Sequence, residues 1–353
     1  MTRAAPATPP RAVGDGAAPA TSARPRRQAT DRSTAVLAGV DVGGTKIQVV
    51  ITDGAFKKLG ESRGPTPATG GPPAVIAAIH TLIEAAVQEA GATTLAAIGV
   101  GAPGTIDFAR GIVARSPNLA GWMDPYPLGA ELTRLTGARV VVDNDVRAGM
   151  LGEHRLGAAR PFQDVIGVWF GTGVGGAVIL QGKLRLGRSG ACGEIGHVCV
   201  QPGGRRCGCG RRGCLEAYAG RASMERRARK LAAKRPTELF HIMERQGRTH
   251  VTSGVVARAL DAGDALTHGL IDDAVAAAGA GIASVVNVLD VEAVVIGGGL
   301  GTRLGAPFAN RIAAAMQPHL FVDGKDSVRV VPAELGDYAG ALGAATEAAQ
   351  VVS

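Results

Sequence analysis

A glycine-interrupted hairpin that occurs twice constrains this 353-residue chain more than any other feature. The first copy is "VLAGVDVGGTKIQVVITDG", residues 36–54, and the second is "IGVWFGTGVGGAVIL", residues 166–180. In each, a short apolar arm rich in β-branched residues enters, glycines and a threonine turn the chain, and a second apolar arm leaves. The arms of the first copy are read as Val36–Val42 and Lys46–Thr52. Gly39–Ile51 and Gly167–Leu180 align as two versions of one element. Such a repeat predicts two units of similar plan, each opening with a glycine hairpin that faces a shared cleft.

The remaining segments alternate between helix and strand periodicity. In "PPAVIAAIHTLIEAAVQEAG" (72–91), Val75, Ile76, Ile79, Leu82, Ile83 and Ala86 recur at helical spacing, with prolines at the start and Gly91 at the end. "LAAIGVGAPG" and "ARVVVDND" read as buried strands. "DALTHGLIDDAVAAAGAGIASVVNVLD" reads as a long small-residue helix, and "VEAVVIGGG" as a strand ending in glycines. The fold class expected from this mixture is α/β.

Three glycine elements follow apolar strands: Gly43-Gly44-Thr45, Gly171-Thr172-Gly173 and Gly297-Gly298-Gly299. Glycine lets backbone N–H groups approach an anion closely, and a threonine hydroxyl adds a donor, so these elements suit the phosphates of a nucleotide. "GTGVGG" is not the dinucleotide fingerprint, because an apolar strand follows it rather than a helix. "VVVDNDVRAGMLGE" sets Asp143, Asn144 and Asp145 at the end of a buried strand, where ligand crevices form in open α/β sheets. Asp145 is the candidate base, and it also suits the cap of the helix that follows.

Four of the five cysteines fall in "HVCVQPGGRRCGCGRRGC", residues 197–214. Cys207, Cys209 and Cys214 with His197 make a Cys3His donor set, which fills the tetrahedral shell of a structural zinc ion. Cys199 lies two residues from His197 and is an alternative fourth ligand. An odd cysteine count and the lack of a secretory signal argue against disulfides. Cys192 reads as a small core hydrophobe.

The formal charge of +8 has a local origin. Residues 1–33 hold six arginines against two aspartates and so supply half of it. This Ala/Pro/Thr/Arg-rich segment has no hydrophobic periodicity and is expected to be a disordered tail. Without it the chain is only mildly basic, and 3% aromatic content does not supply stacking platforms for single-stranded nucleic acid. No stretch is read as approaching the ~20 apolar residues of a membrane span. These features predict a cytoplasmic protein without nucleic-acid or membrane partners.

"GVDVGGTK", "SPNLAGW", "DND", "GTGVGG", "GEIGH", "CGCGRRGCLEAYAG" and "VVIGGG" follow one another along residues 36–345. In this order and spacing the chain resembles the ROK family (repressors, open reading frames and sugar kinases), and among its members the bacterial glucokinases. The resemblance implies an actin-like/ribonuclease-H-like fold of two α/β domains, with ATP and a hexose in the cleft between them. It implies a small domain over 34–148 joined by a terminal helix at 336–350, and a large domain over 149–335 that carries the zinc knuckle. Asp145 would be the catalytic base. Asp41 would sit near magnesium, and Gly43, Gly44, Thr45, Lys46, Thr172 and Gly173 would hold phosphates, with Gly298 beside adenosine. Asn118, Asn144, Asp145, Glu194, His197 and Glu216 would contact sugar hydroxyls, His197 serving zinc with one ring nitrogen and the sugar with the other. A homodimer or homotetramer is implied as well.

Two departures from the family pattern stand out: Gly220-Arg221 replaces the small residues common there, and the knuckle is unusually basic. The rival class is a sugar-responsive transcriptional regulator of the same family. It calls for an N-terminal helix-turn-helix, for which residues 1–33 are too short and too rich in proline and alanine. Kinases for N-acetylmannosamine or fructose share the motifs.

Overall fold

The computed structural model describes residues 36–116, 118–233, 237–322 and 328–352. The tail read at 1–33 lies outside the described residues.

Two five-stranded sheets carry the fold, and they have the same plan. In the first, β1 (Leu37–Val42) pairs antiparallel with β2 (Lys46–Thr52), and β2 with β3 (Lys58–Pro65). On the other side of β1 lies β4 (Ala97–Ala102). The chain then makes a small hairpin, β5 (Thr105–Asp107) and β6 (Ile112–Arg115), before adding β7 (Arg139–Asn144) parallel to β4. In the second sheet β8 (Val165–Phe170), β9 (Val174–Leu180) and β10 (Lys183–Leu184) form the antiparallel part. There β11 (Ala293–Gly297) and β12 (Arg329–Pro332) extend β8 in parallel. The orders are β3-β2-β1-β4-β7 and β10-β9-β8-β11-β12. The repeat seen in the hairpins therefore extends to whole sheets.

Both faces of the first sheet are covered, as its parallel half requires. The helix Gly71–Glu89 lays Val75, Ile76, Ile79, Ile83 and Ala86 on one face, at the spacing read from the sequence. On the other face the terminal helix Ala339–Val352 lies backbone to backbone against the strands. A Cβ on Gly39 would overlap the carbonyl of Ala341, and one on Gly99 that of Ala344. Gly343 meets the carbonyl of Ala148 in the same way. The alanine and glycine content of this helix is thus a packing requirement: any larger residue at these crossings would lift it off the sheet.

The second sheet is covered on one side by the helices Ala265–Leu289 and Gly298–Met316. The first of these is long and apolar enough to cross a bilayer by length and composition, which corrects the expectation that no stretch would be. Alanines and aliphatic residues raise its hydropathy, and Leu270, Ile271, Ala274, Ala278, Ile282 and Ala283 bury it in the core. The helix Asp145–Leu156 lies between the sheets: it packs on the terminal helix, and its Met150 joins the cluster on the other face of the second sheet.

Candidate active site

Asp145 is the first residue of the helix Asp145–Leu156, directly after β7. The cap of that helix is Asn144 rather than Asp145: its Oδ1 accepts from the N–H of Val146 at 3.0 Å and of Arg147 at 3.3 Å. Asn144 Nδ2 donates to the carbonyl of Gly104 at 3.4 Å. Asp145 is left half-buried with one oxygen on the N–H of Val146 at 2.9 Å. Burial pushes its carboxyl up to about 6, against the pull of that hydrogen bond and of the nearby Arg147 charge.

Asp41 is the last residue but one of β1 and pairs in register with Gly101 of β4, which pairs with Asp143 of β7. Burial, and then the charge of Asp145, raise Asp41 to about 7, while Lys46 lowers it. An added Cβ on Gly101 would reach within 3.4 Å of the Asp145 Cα, and one on Gly340 within 2.6 Å of the Asp41 carboxyl. Glycine at 340 leaves room for the Asp41 carboxyl, whereas at 101 the tightest neighbour of an added Cβ would be the Ala148 Cβ, at 3.1 Å.

Behind Asp145 the chain buries a second charged group. Asp143 is fully buried and accepts from Arg147 Nε at 2.6 Å, and a second guanidinium nitrogen also pairs with it. Arg147 is itself buried, and its Nη1 donates to the carbonyl of Gly190 at 2.6 Å, in the loop that follows β10. Glu347 of the terminal helix is buried beside the pair, and burial together with Asp143 raises its carboxyl well above the usual range. The second carboxylate oxygen of Asp143 and Oε2 of Glu347 are both buried without a hydrogen-bond partner among the described residues. Asp143 stands out in the sequence as part of Asp143-Asn144-Asp145, but its partners Arg147 and Glu347 do not. The i, i+4 spacing of Asp143 and Arg147 is the one local signal of this cluster.

The first glycine turn closes with the N–H of Gly43 on the carbonyl of Lys46 at 2.8 Å, and the second with the N–H of Gly171 on that of Gly173 at 2.9 Å. Thr45 and Thr172 are exposed on their turns. A Cβ on Gly44 would stand 2.8 Å from the Asn118 carbonyl, so the first turn and Asn118 are brought together. Lys46 Nζ is paired with Asp337 at 2.8 Å. The third element differs from the other two, because Gly298 starts a helix. At φ 78° it backs onto the carbonyl of Phe170, beside the second turn.

"GEIGH" lies on β9. Gly193 and Gly196 pack against the backbone of Gly176 and Val174, where side chains would collide. This sets the exposed Glu194 and the half-buried His197 side by side, with Glu194 Oε2 3.9 Å from His197 Nε2. His197 Nδ1 faces the other way, 3.8 Å from Cys207 Sγ. The ligand atoms of His197, Cys207, Cys209 and Cys214 all lie within 4.8 Å of one another. Cys209 and Cys214 are 3.8 Å apart at sulfur. That spacing is about the edge of a tetrahedron with metal–sulfur bonds of ~2.3 Å. Cys199 is outside this group, its Sγ turned to the carbonyl of Arg212. Cys192 is half-buried against the core, and none of the five cysteines is disulfide-bonded. Burial pushes the Cys207 thiol up to about 12.

Glu216 joins the knuckle to the second turn. Its Oε1 is 3.3 Å from Cys207 Sγ and its Oε2 accepts from the N–H of Val174 at 3.1 Å. The basic residues of the knuckle divide in two. Arg205 lies over the Tyr218 ring and pairs with Asp273, whereas Arg206, Arg211 and Arg212 are exposed.

Known proteins resemble the chain over nearly its whole described length. A glucokinase from Thermotoga maritima is 34% identical over 88% of this chain and 96% of its own. An N-acetylmannosamine kinase from Citrobacter koseri is 30% identical over 87% and 96%. The crystal structure of a ROK family glucokinase from Streptomyces griseus in complex with glucose and AMPPNP matches with a TM-score of 0.77 at 33% identity, covering 89% of this chain and 99% of that one. The chain shares with that crystal structure the actin-like/ribonuclease-H-like architecture of paired sheets described above. The ROK family model matches residues 37–351, and the chain belongs to that family.

Proposed function

We propose that the protein is an ATP-dependent hexose kinase that takes D-glucose and ATP to glucose 6-phosphate and ADP. The observation that carries this reading is Asp145: a half-buried carboxylate raised to about 6, at a strand end between two sheets that each present a glycine turn. Such a group is ionised at neutral pH yet basic enough to accept a proton. It would take the proton of the sugar 6-hydroxyl as that oxygen attacks the γ-phosphorus, and the bond from phosphorus to the bridging oxygen of ADP breaks. The turns at 43–45 and 171–173 would hold the phosphates, with Lys46, and Gly298 would lie by the adenosine. Asn118, Asn144, Glu194, His197 and Glu216 would bind sugar hydroxyls. Asn144 already spends its amide on capping, which would fix its orientation.

Asp41 would hold magnesium, which would supply positive charge to neutralise the phosphates. A carboxyl raised to about 7 by burial and a neighbouring acid fits that role, because a cation relieves both causes. His197, Cys207, Cys209 and Cys214 would hold zinc, which would staple the loop bearing the sugar residues. A metal-bound thiolate has no proton to donate, so Cys207 would release Glu216 Oε1 to the sugar.

The test is ADP release with magnesium, ATP and a panel of glucose, N-acetylmannosamine, mannose and fructose. Glucose is expected to give the highest kcat/KM. A preference for N-acetylmannosamine would favour the second reading, which the similarity to a kinase of that name supports. ADP release with none of them would overturn the reading.

A further inference from the structure

Arg221 has no part in the roles assigned above, and its surroundings are unusual for a cation. It is the first residue of the helix Arg221–Ala232, whose cap Gly220 makes no side-chain bond. A positive side chain at a helix N-terminus meets the positive end of the helix dipole. Its guanidinium is part-buried, and burial lowers its pKa from the usual arginine value. Among the described residues no carboxylate forms an ion pair with it. Glu225, one turn on, is engaged by Arg229 at 2.6 Å and by the N–H of Val251 at 3.0 Å.

What holds the guanidinium is two neutral hydroxyls. Nη2 donates to Thr172 Oγ1 at 3.0 Å and Nη1 to Ser253 Oγ at 3.2 Å. Thr172 belongs to the second glycine turn. Ser253 lies over the third glycine element, its Oγ 3.5 Å from where a Cβ on Gly299 would stand. The same turn is tied to the helix through the N–H of Arg221 on the carbonyl of Gly171 and that of Ala222 on Thr172, both at 3.0 Å. The charge is thus fixed between two glycine elements, partly desolvated and at a disfavoured helix end, with the Glu225 charge acting on it through space but no carboxylate in direct ion-pair contact among the described residues. Such a placement costs the fold stability, and a bound anion would reverse the cost.

We propose that Arg221 binds the phosphate chain of the donor nucleotide and makes donor affinity depend on phosphate number. This rests on the kinase reading above. The test compares Arg221→Gln, which keeps hydrogen bonds but loses the charge, with Arg221→Lys. Three readouts are needed: KM for ATP and for glucose, calorimetric affinities for ADP, AMP and adenosine, and the melting temperature without nucleotide. Arg221→Gln is expected to raise KM for ATP and Kd for ADP by about 10-fold or more, the usual scale for a lost charge-assisted contact to phosphate. Adenosine affinity and KM for glucose should stay within two-fold, Arg221→Lys should recover most of the ATP affinity, and the melting temperature should hold or rise. Unchanged ADP affinity in Arg221→Gln would overturn the proposal. So would an equal loss for ADP and adenosine, or a lowered melting temperature with no selectivity for phosphate number. If the wild-type protein phosphorylates no hexose, the kinase reading fails, while the ADP titration still decides Arg221. A wild-type protein that binds no ADP would defeat both.

Discussion

Glu216 accepts the backbone N–H of Val174 at 3.1 Å, and through that bond a carboxylate next to the cysteine knuckle holds the strand leaving the second glycine turn. Its other oxygen touches Cys207. The knuckle and the second glycine turn are therefore mechanically joined through Glu216.

Metal removal should be felt at both substrate subsites for that reason. About one zinc per chain is expected by metal analysis, lost in Cys209→Ser and retained in Cys199→Ser. Chelation should raise KM for the sugar and for ATP together and lower the melting temperature. Zinc loss with both KM values unchanged would reduce the knuckle to a fold element.

The raised carboxyls set the pH behaviour. Asp145 at about 6 predicts that kcat/KM falls tenfold per pH unit below that value, because the protonated acid cannot accept the sugar proton. Stability runs the other way. A carboxyl whose pKa is higher folded than unfolded stabilises fully below its unfolded value near 4, and that contribution is lost as pH rises through 6. Asp145→Asn should thus match the wild type in stability near pH 4 and exceed it by about 1–2 kcal/mol at pH 8, after allowance for solvent screening. Denaturant melts at the two pH values check this; a difference that shrinks as pH rises would contradict it.

The buried cluster behind the site separates charge from size. Glu347→Gln keeps a neutral group of the same shape, so it should cost about 1 kcal/mol or less. Arg147→Met leaves Asp143 as an unpaired buried charge and should cost about 3–5 kcal/mol. Equal costs for the two, read from urea midpoints, would show that Glu347 is ionised in the folded state.

The terminal helix should be sensitive to single methyl groups. Gly99→Ala drives a Cβ into the carbonyl of Ala344 and is expected to cost about 1–3 kcal/mol or more, as overpacking does. Gly91→Ala, where the added Cβ has open space but φ is 64°, should cost about 1 kcal/mol.

What was legible in the sequence was local. The two hairpins announced themselves through β-branched arms around glycines, and the four residues of the Cys3His cluster lie within eighteen residues of chain. The helix Gly71–Glu89 showed its buried face through spacing alone. What was not legible depends on distant partners. Glu347 reads as one more polar residue of an alanine-rich helix until that helix is laid on β1 and β4, where it meets Asp143 and Arg147. Gly39 and Gly99 read as ordinary strand glycines until the backbone of Ala341 and Ala344 arrives. Asn144 and Asp145 are both good caps, and the choice of Asn144 is decided by how the chain leaves β7. Arg221 stood out only as a departure from pattern, because Thr172 and Ser253 are far away along the chain.

The central claim is that Asp145 takes the proton of the sugar hydroxyl, and Asp145→Asn tests it most directly when turnover and glucose affinity are measured on the same preparation. A fall in kcat of about 100-fold or more, with the glucose Kd within a few fold of wild type, is the predicted result. Turnover near the wild-type value would remove Asp145 from the chemistry.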